Sequence, residues 1–251
     1  MRRYWLPADS LQGDQVTIDG DAFHHIFVVC RRQQGHHFEV LLPNGQALLV
    51  EVEELTKKKA FAKVLEKRQM PYLKEPHIHL ALSLPKFSTL EKVIEKSVEL
   101  GVHSLHLFHS DYSFMKAKPE DLKKKTSRWQ KIVIGACQQS GRGQAMQLTE
   151  IRPLGVLLEE FQSQENAQGL LAYEGPSTLG VRQALASGPK ERGSVWLFVG
   201  GEGGFSEADI KLFSNYDLLP VSLGDQVLRV ETACVTLLGI LKYELGHFEG
   251  G

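Results

Sequence analysis

Two glycine-bearing turns late in the chain constrain its fold more than any other stretch. The first lies in VGGEGGFSEAD (Val199–Asp209) and the second in SLGDQVLRVETA (Ser222–Ala233). Each is an apolar run that ends in a polar turn and then takes on helical spacing. In open α/β sheets, ligands bind outside the carboxyl ends of the strands, and two such turns can hold one ligand between neighbouring strand ends.

The stretch upstream of these turns has the same alternation. Ile78–Leu84 reads as an apolar strand. A helix is expected from Ser88, with Glu91 completing a capping box and Leu90, Val93, Ile94 and Val98 forming one buried stripe. Gly101 stands at its C-cap, and Val102–Phe108 reads as the next strand. Pro119–Ser140 reads as a long helix, followed by a short helix over Leu154–Phe161, a strand at Gly169–Tyr173, a helix over Thr178–Ala186 and a strand at Ser194–Val199. This order predicts a mainly parallel sheet covered by helices, with candidate ligand positions after Leu171, Val199 and Ser222. The last helix, Glu231–Leu245, is apolar around most of its circumference. It must be buried in its own domain or against another subunit, which favours a homodimer.

Residues 1–70 have a different rhythm. Short runs at Gln15–Ile18, His36–Leu42, Gln46–Glu53 and Lys59–Leu65 read as strands, with Pro43-Asn44-Gly45 as a hairpin turn. Asp21–Arg32 interrupts them with helical spacing through Phe23, Ile26 and Phe27. A compact β-barrel is expected, joined through Arg68–Glu75 to a second domain spanning 71–251.

Charge excludes a global attraction to nucleic acid, since 29 Lys and Arg stand against 30 Asp and Glu. Any such contact must come from local asymmetry. Arg2, Arg3, Arg31 and Arg32 are either a solvated rim or, if gathered on one face, donors to phosphate. Lys116, Lys118, Lys123, Lys124, Lys125, Arg128 and Lys131 form a basic run beside Trp129, again either a solvated face or an RNA contact. Arg142, flanked by Gly141 and Gly143, is expected on an exposed turn suited to a phosphate or base.

Cys30, Cys137 and Cys234 show no metal-ligand spacing. His24-His25 and His36-His37 alternate faces, and His103, His106 and His109 are spaced by three, so they do not share a strand face and no metal site is expected. No apolar run approaches signal-peptide or membrane-span length, and the odd cysteine count suits a reducing compartment. A soluble cytoplasmic protein is the expectation.

The chemistry of the first turn can be narrowed. A Walker loop fails because no Gly-Lys-Ser/Thr follows, and Glu202 would repel phosphate. A Rossmann fingerprint is one glycine short. A cationic or zwitterionic ligand carrying an adenosine fits better, against the competing reading of a tight turn with no ligand. Ser206 and Asp209 form a helix cap. In the second turn Leu223 and Gly224 end a strand, Val227 and Leu228 supply an apolar wall, and Arg229, Glu231 and Thr232 gather polar groups where the last helix begins.

Together with HHIFVVCRRQQG (His24–Gly35), EKVIEKSVELGV (Glu91–Val102) and CQQSGR (Cys137–Arg142), these motifs resemble the RsmE-type family of small-subunit ribosomal RNA uridine-N3 methyltransferases, in the SPOUT superfamily. They occur in the family's order across nearly the whole chain. The resemblance implies an N-terminal PUA-like barrel, a SPOUT-type α/β domain with a C-terminal trefoil knot, a homodimer, and S-adenosyl-L-methionine as cofactor. It carries cofactor contacts onto Leu171, Gly200, Glu202, Gly203, Gly204, Leu223, Gly224, Val227, Leu228, Arg229 and Thr232.

For uridine-N3 methylation, Arg229 is assigned to stabilise or position the base. Glu231 either orients that arginine or takes the proton, with a structural salt bridge as its competing role. Three positions depart from the family pattern: Gly201 replaces a usual Pro, Gln226 a usual Arg, and Tyr112 a usual Arg. Two rival functions are a methyltransferase of the same architecture acting on another RNA such as transfer RNA, and a non-catalytic RNA-binding ribosome assembly factor.

Overall fold

The structure, a computed structural model, describes residues 2–114, 119–175 and 179–249, without the side chains of 119–121, 123 and 124. Two compact units result: Met1–Tyr72 with Ile134–Ala145, and Leu73–Val133 with Met146–Gly251. The stretch Ile134–Ala145, expected in the second domain, thus belongs to the first unit.

The first unit contains a six-stranded sheet: β1 (Arg3–Trp5), β2 (Leu11–Gln12), β3 (Gln15–Ile18), β4 (His37–Leu41), β5 (Gln46–Leu55) and β6 (Ala60–Gln69), in the order β1-β4-β5-β6-β3-β2. β1 runs parallel to β4, and the other pairs are antiparallel. The β4–β5 hairpin closes where the Asn-Gly pair demands it. Gly45 sits at φ +80°, and Asn44 Oδ1 accepts from the Gln46 amide at 3.1 Å. The expected helical interruption is a single turn, α1 (Gly20–Phe23), that runs into a π-helical turn at His24–Val29. It buries Phe23, Ile26 and Phe27 among Tyr4, Phe38 and Val50.

The second unit is built on eight strands: β7 (His77–Ser83), β8 (Ser104–His109), β9 (Gln147–Leu148), β10 (Arg152–Pro153), β11 (Ala167–Ala172), β12 (Leu179–Gly180), β13 (Ser194–Val199) and β14 (Leu219–Ser222). Their order is β10-β8-β7-β13-β11-β14-β12, with β9 beside β8, and every pairing is parallel. Every residue of β13 is buried, as a strand covered on both faces requires. The helices are α2 (Phe87–Glu99), α3 (Pro119–Ser140), which belongs to this unit only as far as Val133, α4 (Leu154–Gln162), α5 (Val181–Ala186), α6 (Glu207–Phe213) and α7 (Val230–Glu244). α7 buries Val230, Cys234, Leu237, Leu238 and Leu241 and packs against α2.

Local expectations needed correction where a distant group intervened. The Ser88–Glu91 capping box does not form. α2 starts one residue earlier, at Phe87, and Glu91 instead accepts two hydrogen bonds from Arg128, at 2.6 and 2.7 Å. Trp129 is not an RNA-facing ring: it is buried, its ring centroid 5.8 Å from that of Phe87. Lys125, four residues earlier on the same helix face, places its Nζ 5.0 Å over the same Phe87 ring, so Trp129 lies beneath part of the basic run as packing. Lys116, Lys118 and Thr178 lie outside the described residues, as do the side chains of Lys123 and Lys124.

Histidines that sequence spacing separated are brought together across strands. His79 of β7 lies 5.2 Å from His103 and 5.9 Å from His106, ring to ring, because β7 and β8 pair in register. The Ser104 hydroxyl bridges His79 Nδ1 at 2.6 Å and His106 Nε2 at 2.7 Å, and both rings lie against Trp196. Burial, with the neighbouring histidines adding to it, pushes His79 down to about 3. Burial, with Arg152 and His103 adding to it, pushes His106 down to about 4.

Both rings are therefore neutral in the fold while an unfolded chain protonates them below about pH 6.5. Their contribution is fully present above that pH and is lost as pH falls towards 4 and then 3. Urea unfolding at pH 5 is expected to show a loss on the order of 3 kcal/mol relative to pH 7. Equal stability at the two pH values would contradict this account.

Candidate functional site

A cavity of about 220 Å³ opens at the carboxyl ends of β13, β11 and β14, which are neighbours in the sheet. Each strand end contributes a wall. Gly200, Gly201, Gly203 and Gly204 come from the turn after β13, and Tyr173 and Glu174 follow β11. Leu223, Gly224, Val227 and Leu228 come from the turn after β14.

The first turn needs glycine at particular positions because backbone packs on backbone. A Cβ at Gly200 would lie 3.1 Å from Gly204 Cα, and one at Gly203 would lie 3.0 Å from Tyr112 Cβ and 3.2 Å from Tyr112 O. Gly204 adopts φ +66° and its amide donates to Gly201 O at 3.0 Å. Gly201 is different: a Cβ there would meet nothing closer than 3.6 Å, so this position has room for a side chain. The turn then enters α6 through the expected cap, with Ser206 Oγ accepting from the Asp209 amide at 3.0 Å and Asp209 Oδ2 accepting from the Ser206 amide at 3.0 Å.

The loop after β8 is pinned to this turn. The Ser83 hydroxyl lies 2.6 Å from that of Ser110 and 3.0 Å from that of Ser113, all buried. Ser206 Oγ donates to Asp111 Oδ2 at 2.6 Å, and the Asp111 amide donates to Asp209 Oδ2 at 3.3 Å. Tyr112 is thereby held against Gly203.

Glu202 does not line the cavity. Its carboxylate accepts from the Lys86 amide at 3.1 and 3.3 Å and from Thr89 Oγ1 at 3.1 Å, so it caps the start of α2 from a distant part of the chain. A carboxylate on free amides at a helix N-terminus is stabilising. Glu202→Ala is expected to lower stability by about 1–2 kcal/mol in chemical unfolding. An unchanged midpoint would remove this role.

In the second turn, Ser222 Oγ accepts from the Gly224 amide at 3.2 Å and Gly224 adopts φ +106°. Leu228 and Val230 line the cavity, whereas Arg229 between them is exposed at the N-cap of α7. Thr232 is exposed and Leu171 is buried in β11, one residue before the lining Ala172, so neither belongs to the wall. The Glu231 carboxyl is held below its usual range by its own backbone N–H, against partial burial. Lys92, whose Nζ lies 3.3 Å away, and Arg229 hold it down further.

Three lining residues with polar groups were not singled out in the sequence: Tyr173, Glu174 and Asp225. Their only signal was position, after the strand ends where ligands are expected. Glu174 and Asp225 are carboxylates, and among the described residues no Lys or Arg lines the cavity, where position 226 is a glutamine.

The five arginines expected to meet RNA lie in the first unit and do not share one environment. Arg2 and Arg31 are exposed, Arg31 at φ 53°. Arg32 is half-buried, with an Nε that has no hydrogen-bond partner among the described residues. Arg3 Nε donates to Glu39 Oε2 at 2.7 Å. Burial raises that carboxyl, but hydrogen bonds from Arg68 and Arg3 outweigh it and hold it low.

Arg142 corrects the expectation of an exposed turn. It is buried, its Nε donates to Gln144 O at 2.5 Å, and burial lowers its guanidinium to about 10. The physical reason is Gly141, whose φ of +76° ends α3 and lets both Gly141 and Arg142 amides return to Cys137 O, turning the next side chain inward.

Among the described residues, no group of three or more His, Cys, Asp or Glu side chains is placed to hold a metal ion, and no helix is long and apolar enough to cross a membrane.

Residues 73–242 match a family described as an RNA methyltransferase domain, and residues 18–65 match one described as an RNA methyltransferase PUA domain. The chain is 31% identical to the ribosomal RNA small subunit methyltransferase E of Helicobacter pylori over 230 residues, covering 90% of this chain and 94% of that protein. It is 29% identical to the protein of the same name from Bacillus subtilis over 260 residues, covering 100% and 99%. Among solved structures it is similar to a Legionella pneumophila protein described as a methyltransferase, in complex with the bound cofactor SAM. The TM-score is 0.86 with 30% identity over 96% of each chain.

Proposed function

The chain belongs to the RNA methyltransferase family, and on that premise we propose that it uses S-adenosyl-L-methionine to methylate N3 of a uridine in small-subunit ribosomal RNA. The relatives' names support the RNA class, and the cofactor of the Legionella protein supports the methyl donor.

The observation that carries the reading is the make-up of the cavity: a glycine cradle and an apolar wall, with two carboxylates and, among the described residues, no cation in the lining. A polyphosphate would face Glu174 and Asp225 without a counter-charge, whereas an amino group or sulfonium is favoured there. The residues that would hold S-adenosyl-L-methionine are Gly200, Gly203, Gly204, Leu223, Gly224, Val227 and Leu228, with Glu174 and Asp225 as acceptors. When bound, it supplies an electrophilic methyl on a sulfonium.

The chain's own groups then act on the uridine. N3 is a weak nucleophile while protonated, so the site must favour its anion. Arg229 stands exposed between two cavity-lining residues, at the positive end of α7 where a cation opposes the helix dipole. Its location costs local stability and suits a group reserved for a developing negative charge. Glu231, kept ionised and paired with Lys92, serves to position Arg229 rather than to take the proton, because a depressed carboxyl is a poor base for an imide.

The homodimer belongs to the same proposal, with the exposed Val235 and Tyr243 of α7 as contact residues. So do the trefoil threading, the cytoplasmic setting, and RNA gripping by Arg2, Arg31 and Arg32. Nucleoside mass spectrometry of small-subunit ribosomal RNA from cells with and without this protein tests the central claim. Loss of 3-methyluridine is expected; an unchanged signal would overturn it.

A further inference from the structure

The loop between β8 and α3 carries two aromatic rings that the packing of the second unit does not use. Tyr112 is 55% exposed and Phe114 is 54% exposed, two residues apart in a segment whose neighbours are buried serines. The loop is rigid where it matters. Ser83, Ser110 and Ser113 share a buried hydroxyl cluster, and Asp111 is tied to both Ser206 and Asp209 at the start of α6. Tyr112 is thus held with its Cβ and carbonyl packed on Gly203, a wall residue of the methyl-donor cavity. Lys86 Nζ stands 4.5 Å above the Phe114 ring, so the same edge carries a cation.

Large exposed rings on a preorganised loop are the features of a surface on which a nucleobase stacks, and stacking on aromatics is a sequence-tolerant way to hold an unpaired base. A base that is to be modified must leave its helix, and something must receive its face. We propose that Tyr112, flanked by Phe114 and Lys86, is the stacking platform that receives the target pyrimidine of the RNA beside the glycine wall of the cavity. The ring replaces by π-contact what a cation at this position would do by charge, and Lys86 supplies the adjacent phosphate contact. This inference rests on the RNA-methyltransferase reading.

Alanine at position 112 keeps the Cβ that packs against Gly203, so the glycine turn is preserved. Steady-state methyl transfer to small subunits is the test, with calorimetry for S-adenosyl-L-methionine and thermal melting as controls. Tyr112→Ala is expected to raise KM for RNA by about 10-fold, the scale of one lost base stack. Cofactor affinity and melting temperature should stay as in the parent. Tyr112→Phe should restore the parent KM, because a ring and not a hydroxyl is needed. Tyr112→Trp should keep the low KM, and the emission of its added indole should be quenched when RNA binds.

An unchanged KM in Tyr112→Ala, or an equal loss in Tyr112→Phe, would overturn the platform. Absence of methyl transfer by the parent protein would instead sink the enzymatic reading, while indole quenching without turnover would keep the platform as an RNA contact.

Discussion

Gly200→Val is expected to abolish cofactor binding, with a fall in affinity of at least about 100-fold and a still-folded protein. The reason is that a side chain at position 200 has nowhere to go. Its Cβ would lie 3.1 Å from Gly204 Cα and 3.2 Å from Gly204 C, and both are backbone atoms that cannot rotate aside. The turn must open, and with it the wall that carries Gly203 and Gly204. The strand beneath, β13, is buried throughout and keeps its neighbours. Overpacking at one turn typically costs about 1–3 kcal/mol, too little to unfold a domain of this size.

Gly201→Ala is the informative control. The nearest atom to its new Cβ would be 3.6 Å away, an ordinary contact, so affinity should stay within about threefold. Isothermal titration calorimetry with S-adenosyl-L-methionine measures both. If the two variants behaved alike, the glycine cradle would not be what shapes the site.

Arg229→Ala is expected to lower kcat for methyl transfer by about 100- to 1000-fold, the effect of removing one donor aimed at developing negative charge. Cofactor affinity should be unchanged, since Arg229 does not line the cavity. Stability should be unchanged or rise by about 0.3–1 kcal/mol, because a cation is removed from the positive end of α7. Arg229→Lys should recover only part of the rate, as an ammonium keeps the charge but loses the planar fork. Single-turnover transfer of labelled methyl to small subunits gives the rate. Full activity in Arg229→Ala would remove this residue from the chemistry.

Much of the frame was legible in the chain because its signals are local. β3 and β13 have the expected bounds, Gly101 sits at positive φ at the end of α2, and Ser206 with Asp209 caps α6. Each of these is decided within a few residues, by alternation, by the freedom of glycine or by a side chain reaching its own helix start. The site was legible for the same reason in its two turns. It was not legible in Glu202, whose side chain was expected to contact the ligand but instead meets the start of α2. Nor was it legible in Arg142, which the Gly141 turn sends inward, or in Trp129, which shares a helix with a basic face yet packs on Phe87.

The amino-acid sequence by itself determined that there would be a parallel sheet with two glycine turns at strand ends, since periodicity, caps and positive-φ positions depend on near neighbours alone. Only the tertiary structure decided what those turns face. β11 lies between β13 and β14, so Glu174 closes the cavity between the two motifs. Loop 110–114 is tied to α6, so Tyr112 backs the cradle. Which carboxylate faces a ligand and which caps a helix depends on strand order and loop docking between residues far apart in the chain, and such contacts are fixed by packing rather than by any local pattern.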